Sequence, residues 1–292
     1  MSQIALAESA FGLVRICRNP VFIVGAERSG TTILALALGE HSRLWYSCEG
    51  HFFPGLFEPR HLEHIYERGK FRYRWIQEEG VTREEFLESL GLGINALFTS
   101  RSGGRRWIEK TPQNTLMVGA LADMYPGALF LHILRDGRRI VHSMTSFLAG
   151  VEGEIRAERT TGGRAPKWAE DFRTACATWR DYVQAAMSFA SNCPDRCLTV
   201  RNEDLVADAE ECFRSIFDFL GVCYENPPID YFRSNRINSS FIQGAPELLS
   251  DPWRAWTPEQ KQIFVEEAGA AMLEYGLAST EELRQMESGP AG

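Results

Sequence analysis

Apolar runs and helical patterns alternate along the chain. Val21-Phe22-Ile23-Val24 is a short apolar run, followed by a polar, glycine-flanked loop from Gly25 to Thr32 and an apolar helical pattern from Ile33 to Leu38. Ala128 to Leu134 (ALFLHIL) is continuously apolar with turns on both sides, the pattern of a strand buried on both faces. Arg106–Glu109 and Cys197–Val200 read as further strands. Residues 55 to 104 read as mainly helical, with a capping-box start at Thr82 and Glu85 and a stop at Gly91. Their charged faces read as solvated surface, and the insert is placed to shape an acceptor pocket. Trp168 to Ala190 predicts a long helix with Phe172, Ala175, Trp179, Tyr182, Val183 and Ala186 on its core side. Asp208 to Leu220 predicts another, stopped by Gly221, and Thr257-Pro258-Glu259-Gln260 starts a third. Residues 4 to 17 read as a short surface-packing helix, 150 to 167 as a mobile Gly-, Arg- and Thr-rich loop, and 282 to 292 as a flexible tail. Strands alternating with helices predict one α/β domain over 1–292, its core spanning about 20–275, with a central parallel sheet and helical insertions.

Composition narrows the function. The 292 residues are 44% hydrophobic and 24% charged, as in an ordinary soluble globular protein. A net charge of −8 argues against broad nucleic-acid binding. Seven scattered cysteines form no CxxC pair and no zinc spacing, and read as thiols of a reducing compartment. The N-terminus lacks a basic signal-peptide start, and no 18-residue apolar stretch predicts a membrane span. A cytoplasmic protein is expected.

The chemistry begins in the loop Gly25 to Thr32, GAERSGTT. A strand, a tight loop and a helix start make an anion cradle of inward backbone N–H groups. Gly30 lets the chain approach a phosphate, and Arg28, Ser29, Thr31 and Thr32 add side-chain donors. Gly25 and Gly30 match the spacing of the nucleoside-triphosphate loop G-x-x-x-x-G-K-[ST], but Thr31 stands where its lysine belongs. The sequence RDGRRIVHSM, Arg135 to Met144, sets three arginines at a second strand-to-helix junction. Arg139 and Ser143 share a helix face, and Arg135 joins them only by folding back over the helix start. Lys110 follows a strand, at the sheet end where ligands bind. Glu49 lies in the aromatic stretch LWYSCEGHFF. Two readings stay open for it: an exposed acid before the Gly50 turn, or a desolvated base with a raised pKa.

GAERSGTT resembles the 5′-phosphosulfate loop of sulfotransferases that use 3′-phosphoadenosine-5′-phosphosulfate (PAPS), in which a Lys or Arg precedes Ser-Gly-Thr-Thr. Arg135, Asp136, Arg138 and Ser143 match the same family's 3′-phosphate motif R-D-x-R-x-x-x-x-S, in the form nearest the tyrosylprotein and bacterial branches. The resemblance implies a sheet of P-loop NTPase-like topology, with Arg135 and Ser143, helped by Arg139, on the 3′-phosphate. Lys110 lies 25 residues before Arg135, as the family lysine does, but Pro112 occupies the slot of the base histidine of the cytosolic branch. The tyrosylprotein branch uses a Glu after the first helix, which makes Glu49 the expected base and His51 its rival. Asn202 stands where relatives carry a tyrosine near the adenosine. Ser239 or Ser240, together with Arg254, match a further cofactor contact approximately. The implied activity is metal-free in-line transfer of a sulfuryl group from PAPS to an acceptor hydroxyl or amine, small or carrier-bound, with Lys110 and Arg28 stabilising charge. The alternatives are a P-loop kinase using Mg·ATP and a non-catalytic nucleotide-binding module. The acceptor and the oligomeric state stay open.

Overall fold

The computed structural model describes residues 4–9, 12–147, 166–235 and 251–288. Strands β3 (Val21–Val24), β4 (Leu44–Trp45), β5 (Arg106–Glu109), β6 (Leu129–Leu134) and β7 (Cys197–Arg201) form one sheet in the order β4-β5-β3-β6-β7. Every pair is parallel, with Phe22 opposite Phe130 and Leu44 opposite Arg106. Strand β3 is therefore central and its four residues are wholly buried. That explains why it reads as an unbroken apolar run. The carboxyl ends of β3, β5 and β6 lie side by side and carry Gly25, Lys110 and Arg135, so three motifs far apart in sequence share one sheet end.

Helices cover both faces, because alternate residues of β3 point opposite ways. Val21 and Ile23 face α1 (Thr31–Gly39), α10 (Ala209–Leu220) and α11 (Pro227–Ser234), meeting Leu34, Leu38, Phe213 and Phe217. Phe22 and Val24 face α5 (Arg83–Arg101) and α6 (Val118–Met124). Phe22 there touches the rings of Phe53, Trp107, Tyr125 and Phe130 at centroid distances of 5.4–5.6 Å. Burying one such Phe contributes about 2–3 kcal/mol. A third cluster joins α7 (Gly137–Thr145), α8 (Phe172–Asn192), α12 (Pro258–Glu274) and α13 (Thr280–Ser288) around Trp179 and Phe264. The described residues also include the short helices α2 (Phe52–Leu56), α3 (Pro59–Glu67), α4 (Trp75–Glu78) and α9 (Asn202–Ala207). No helix among the described residues is long and apolar enough to cross a membrane.

Three expectations are corrected. Where a helix was expected over 4–17, β1 (Ile4–Ser9) and β2 (Gly12–Cys17) form an antiparallel hairpin, Ile4 opposite Cys17. The Asn95 side chain docks its end, accepting from Cys17 N (2.8 Å) and donating to Cys17 O (3.0 Å). That two-point grip needs the backbone edge a strand exposes and a helix hides. Helix α5 runs through Gly91 rather than stopping there. The glycine is a close-packing residue: a Cβ at Gly91 would lie 2.8 Å from the Met124 carbonyl oxygen, and Tyr125 Oη donates to Gly91 O at 3.0 Å. The C-terminal segment is helical to Ser288 rather than free from 282. Ser279 Oγ accepts from Glu282 N, Glu282 Oε2 accepts from Ser279 N, and Leu283 and Met286 are buried. Most of the expected loop 150–167 lies outside the described residues.

Candidate active site

The loop after β3 is shaped by backbone conformations that few side chains tolerate. Gly25 and Gly30 have φ of 147° and 102°, and Arg28 between them is left-handed at 70°. A Cβ at Gly25 would lie 2.7 Å from the Ile133 carbonyl oxygen. Thr115 clamps the loop entrance: its Oγ1 accepts from Gly25 N (2.8 Å) and donates to Gly25 O (3.1 Å). Helix α1 then begins at Thr31 with no side-chain cap, leaving its first N–H groups facing the loop. Ser29 Oγ is buried and, among the described residues, has no partner. A bare helix start, a tight glycine loop and an unsatisfied hydroxyl are a donor set that fits a phosphate.

Lys110 reaches this loop from the neighbouring strand. It is fully buried, and its Nζ donates to Thr32 Oγ1 at 2.9 Å and to Glu49 Oε1. The other Glu49 oxygen meets His51 Nε2 at 3.0 Å, so the expected base and its rival touch. Glu49 is one-third exposed and ion-paired. It is thus neither a free surface acid nor a carboxylate stripped of water. The Glu49–His51 turn is braced from below. His51 is left-handed at φ 51°, its N–H donates to Thr111 Oγ1 at 3.3 Å, and Thr111 Oγ1 donates to Glu109 Oε1 at 2.6 Å.

The second motif converges on the first. Arg28 Nε donates to Ser143 Oγ at 2.9 Å, and Arg135 Nη1 donates to the Arg28 carbonyl at 2.7 Å. Arg28 thus links Arg135 to Ser143, one bond to each. Arg135 Nε is buried without a partner among the described residues, and burial holds its guanidinium below the usual range. From α8, Trp179 Nε1 donates to Arg135 O at 3.3 Å, so this core residue also fixes the motif. Arg139 lines a cavity of about 260 Å³ with Arg201, Glu203 and Trp253. Arg138 lines the same cavity, but its guanidinium is engaged: it is buried, holds Asp136 (2.6 Å) and the Leu277 carbonyl (3.2 Å), and lies over Trp253. Its role is to tie α7 to the C-terminal helices. Asn202 opens α9, and its Nδ2 would be 2.6 Å from a Cβ at Gly30, so an amide covers the loop. Arg254 is exposed and paired with Asp251 at 2.6 Å, and no bond joins it to either motif among the described residues. Ser239 and Ser240 lie outside the described residues.

Two acids escaped the sequence reading. Burial pushes Glu109 up to about 7 against the hydrogen bond from Thr111. Burial also pushes Glu27, inside the loop itself, up to about 7 against hydrogen bonds that include one from Tyr182. Glu27 Oε1 accepts from Gln113 Nε2 (3.0 Å) and Tyr182 Oη (3.1 Å), while Oε2 is buried without a partner among the described residues. Their one legible signal is an acid inside an otherwise buried segment. Folding raises the Glu27 pKa, so the native state holds the proton longer than the unfolded chain. Its contribution is full below about 4.5 and is lost as pH rises to about 7. Gln at this position can keep both bonds to its carbonyl oxygen and cannot ionise. Glu27→Gln is therefore expected to stabilise the fold by on the order of 2 kcal/mol near pH 8 and by little near pH 5, read by urea unfolding at both.

The family model described as the sulfotransferase family matches residues 20–226. A protein-tyrosine sulfotransferase of Drosophila melanogaster is 28% identical over 204 residues, 69% of this chain and 38% of that protein. Protein-tyrosine sulfotransferase A of Caenorhabditis elegans is 26% identical over 209 residues, 70% and 50% of the two chains. The chain spans about half the length of the curated relatives it matches. Among solved structures, a sulfotransferase domain from the curacin biosynthetic pathway superposes with a TM-score of 0.52 at 18% identity, covering 86% of this chain and 98% of that domain. A sulfotransferase of Mycobacterium avium gives 0.51 at 14% identity, covering 85% and 76%. These superpositions agree with the sheet and its flanking helices.

Proposed function

The chain belongs to the sulfotransferase family, and from that premise we propose that it moves the sulfuryl group of PAPS to an acceptor hydroxyl or amine. The observation that supports this most is the meeting of Lys110, Thr32 and Glu49 at the mouth of the loop. Glu49 takes the acceptor proton as the acceptor oxygen or nitrogen bonds to sulfur. The bond from sulfur to the 5′-phosphate oxygen breaks, and the electron pair leaves on that oxygen. Lys110, Arg28 and Thr32 stabilise the charge that develops on the bridging and sulfuryl oxygens. Ser29, Gly30, Thr31 and Thr32 cradle the 5′-phosphate, and Arg135 with Ser143 and Arg139 hold the 3′-phosphate. The relatives' names make a peptide tyrosine one candidate acceptor. The seven free cysteines favour a reducing compartment such as the cytoplasm.

Thermal unfolding with adenosine 3′,5′-bisphosphate, AMP and Mg·ATP tests the reading. The bisphosphate, held at about 100 times its dissociation constant, is expected to stabilise the fold by about 2.7 kcal/mol, with AMP and Mg·ATP giving little. Stabilisation by Mg·ATP alone would sink the sulfotransferase reading in favour of a kinase.

A further inference from the structure

The stretch Arg68–Trp75, RGKFRYRW, sets four cations and three aromatic residues in eight positions, with no acid among them. The chain carries −8 overall, so with +4 here the remainder sums to −12. Arg68–Arg72 is a single π-helical turn, a form that recurs at functional sites. Gly69 anchors it, since a Cβ there would lie 2.6 Å from the side chain of buried Ile76. Arg74 is left-handed at φ 62°, a conformation that costs energy in a non-glycine residue and here opens α4 with Trp75.

The aromatic residues face outward. Phe71, Tyr73 and Trp75 are 65%, 60% and 59% exposed. The cations stand over these rings: Arg68 and Arg72 lie 5.4 and 5.5 Å from the Tyr73 centroid, and Lys70 lies 5.1 Å from that of Phe71. Arg74 pairs with Glu78 at 3.6 Å, but among the described residues no carboxylate pairs with Arg68, Lys70 or Arg72. Burying three large rings in a core would have been favourable, and pairing the cations with any of the chain's 39 acids was open.

We propose that Arg68–Trp75 is a docking surface for an anionic phospholipid bilayer. Guanidinium and ammonium groups bind headgroup phosphates and carboxylates, while Trp, Tyr and Phe rings settle at the boundary between headgroups and acyl chains. An acidic peptide satisfies the cations and leaves Phe71 and Trp75 in water, so it uses half of the surface. The −12 of the remaining molecule is repelled by the same membrane, which fixes this end toward it. The surface is independent of the sulfuryl-transfer reading.

Cosedimentation of the full chain with vesicles tests it. Binding is expected to equimolar phosphatidylcholine and phosphatidylserine, and not to phosphatidylcholine alone. Reversing Arg68→Glu with Lys70→Glu is expected to lower the bound-to-free ratio by about tenfold or more. Phe71→Ser with Trp75→Ser is expected to lower it severalfold at unchanged charge. Both double variants should unfold at the wild-type temperature, which separates loss of docking from loss of fold. Absence of binding to the anionic vesicles, or binding that survives either pair of substitutions, overturns the proposal. So does capture by immobilised polyglutamate with the vesicles ignored.

Discussion

Glu49→Gln is expected to lower turnover by about 10³-fold and to leave the affinity for adenosine 3′,5′-bisphosphate within a few-fold. Gln keeps an oxygen that can accept from Lys110 Nζ, and its amide NH2 can donate to a neutral His51 ring nitrogen, so the turn braced by Thr111 and Glu109 stays in place. What Gln cannot do is take a proton. His51→Gln is the control. His51 is more exposed than Glu49 and contacts only one of its two oxygens, so its loss is expected to cost about tenfold or less. The measurement is steady-state sulfuryl transfer to a screened acceptor, with bisphosphate affinity from calorimetry on the same samples. If Glu49→Gln retains most of its turnover while His51→Gln abolishes it, the base assignment moves to His51. If the wild type itself shows no transfer to any acceptor class but binds the bisphosphate, a non-catalytic nucleotide-binding module is the better reading.

Lys110→Met should also cost about 10²–10³-fold in turnover, for a different reason. The Lys110 ammonium is wholly buried between Thr32 and Glu49, where charge on the sulfuryl and bridging oxygens would develop. Water does not weaken its field as it would at the surface. Met has nearly the same length and no charge. Glu49 would lose its lysine partner but keeps His51 and, being one-third exposed, can be hydrated, so the fold is expected to lose only about 1 kcal/mol. The bisphosphate lacks the sulfuryl group, so its affinity should fall far less than turnover does. Equal losses in both quantities would instead make Lys110 a phosphate-binding residue.

Much of the candidate site was legible because residue types that suit a phosphate leave local marks. Gly25, Gly30 and the hydroxyls after Arg28 identify the loop, and the arginines around Asp136 identify the second motif. Glu49 needed the family comparison, because its neighbours alone support two readings. Glu27 and Glu109 were missed because their one local mark, an acid inside an otherwise buried segment, does not say which groups it meets. Their chemistry comes from Tyr182 and Gln113, or from Thr111 and Asn114, brought in by folding. Arg138 shows the opposite failure. It matches a phosphate motif in sequence, yet the half-buried Asp136 beside it and the Leu277 carbonyl claim its guanidinium.

The same division runs through the fold. Strands β3, β6 and β7 and helix α8 were readable because burial on both faces, or on one helical stripe, forces a periodic pattern on the residues themselves. The N-terminal hairpin, the passage of α5 through Gly91 and the capped C-terminal helix were not. The first two depend on a partner distant in sequence, Asn95 for Cys17 and the Met124 carbonyl for Gly91, whereas the C-terminal helix carries a local Ser279–Glu282 cap that the sequence reading passed over. By itself the sequence determined four of the five strands of the sheet, β3, β5, β6 and β7, and marked the two segments whose residue types suit a phosphate; the two-residue β4 left no pattern to read. Only the tertiary structure decided that Lys110, Glu49 and Arg135 meet at one end of that sheet. Their separation along the chain is bridged by parallel pairing, which no local pattern encodes.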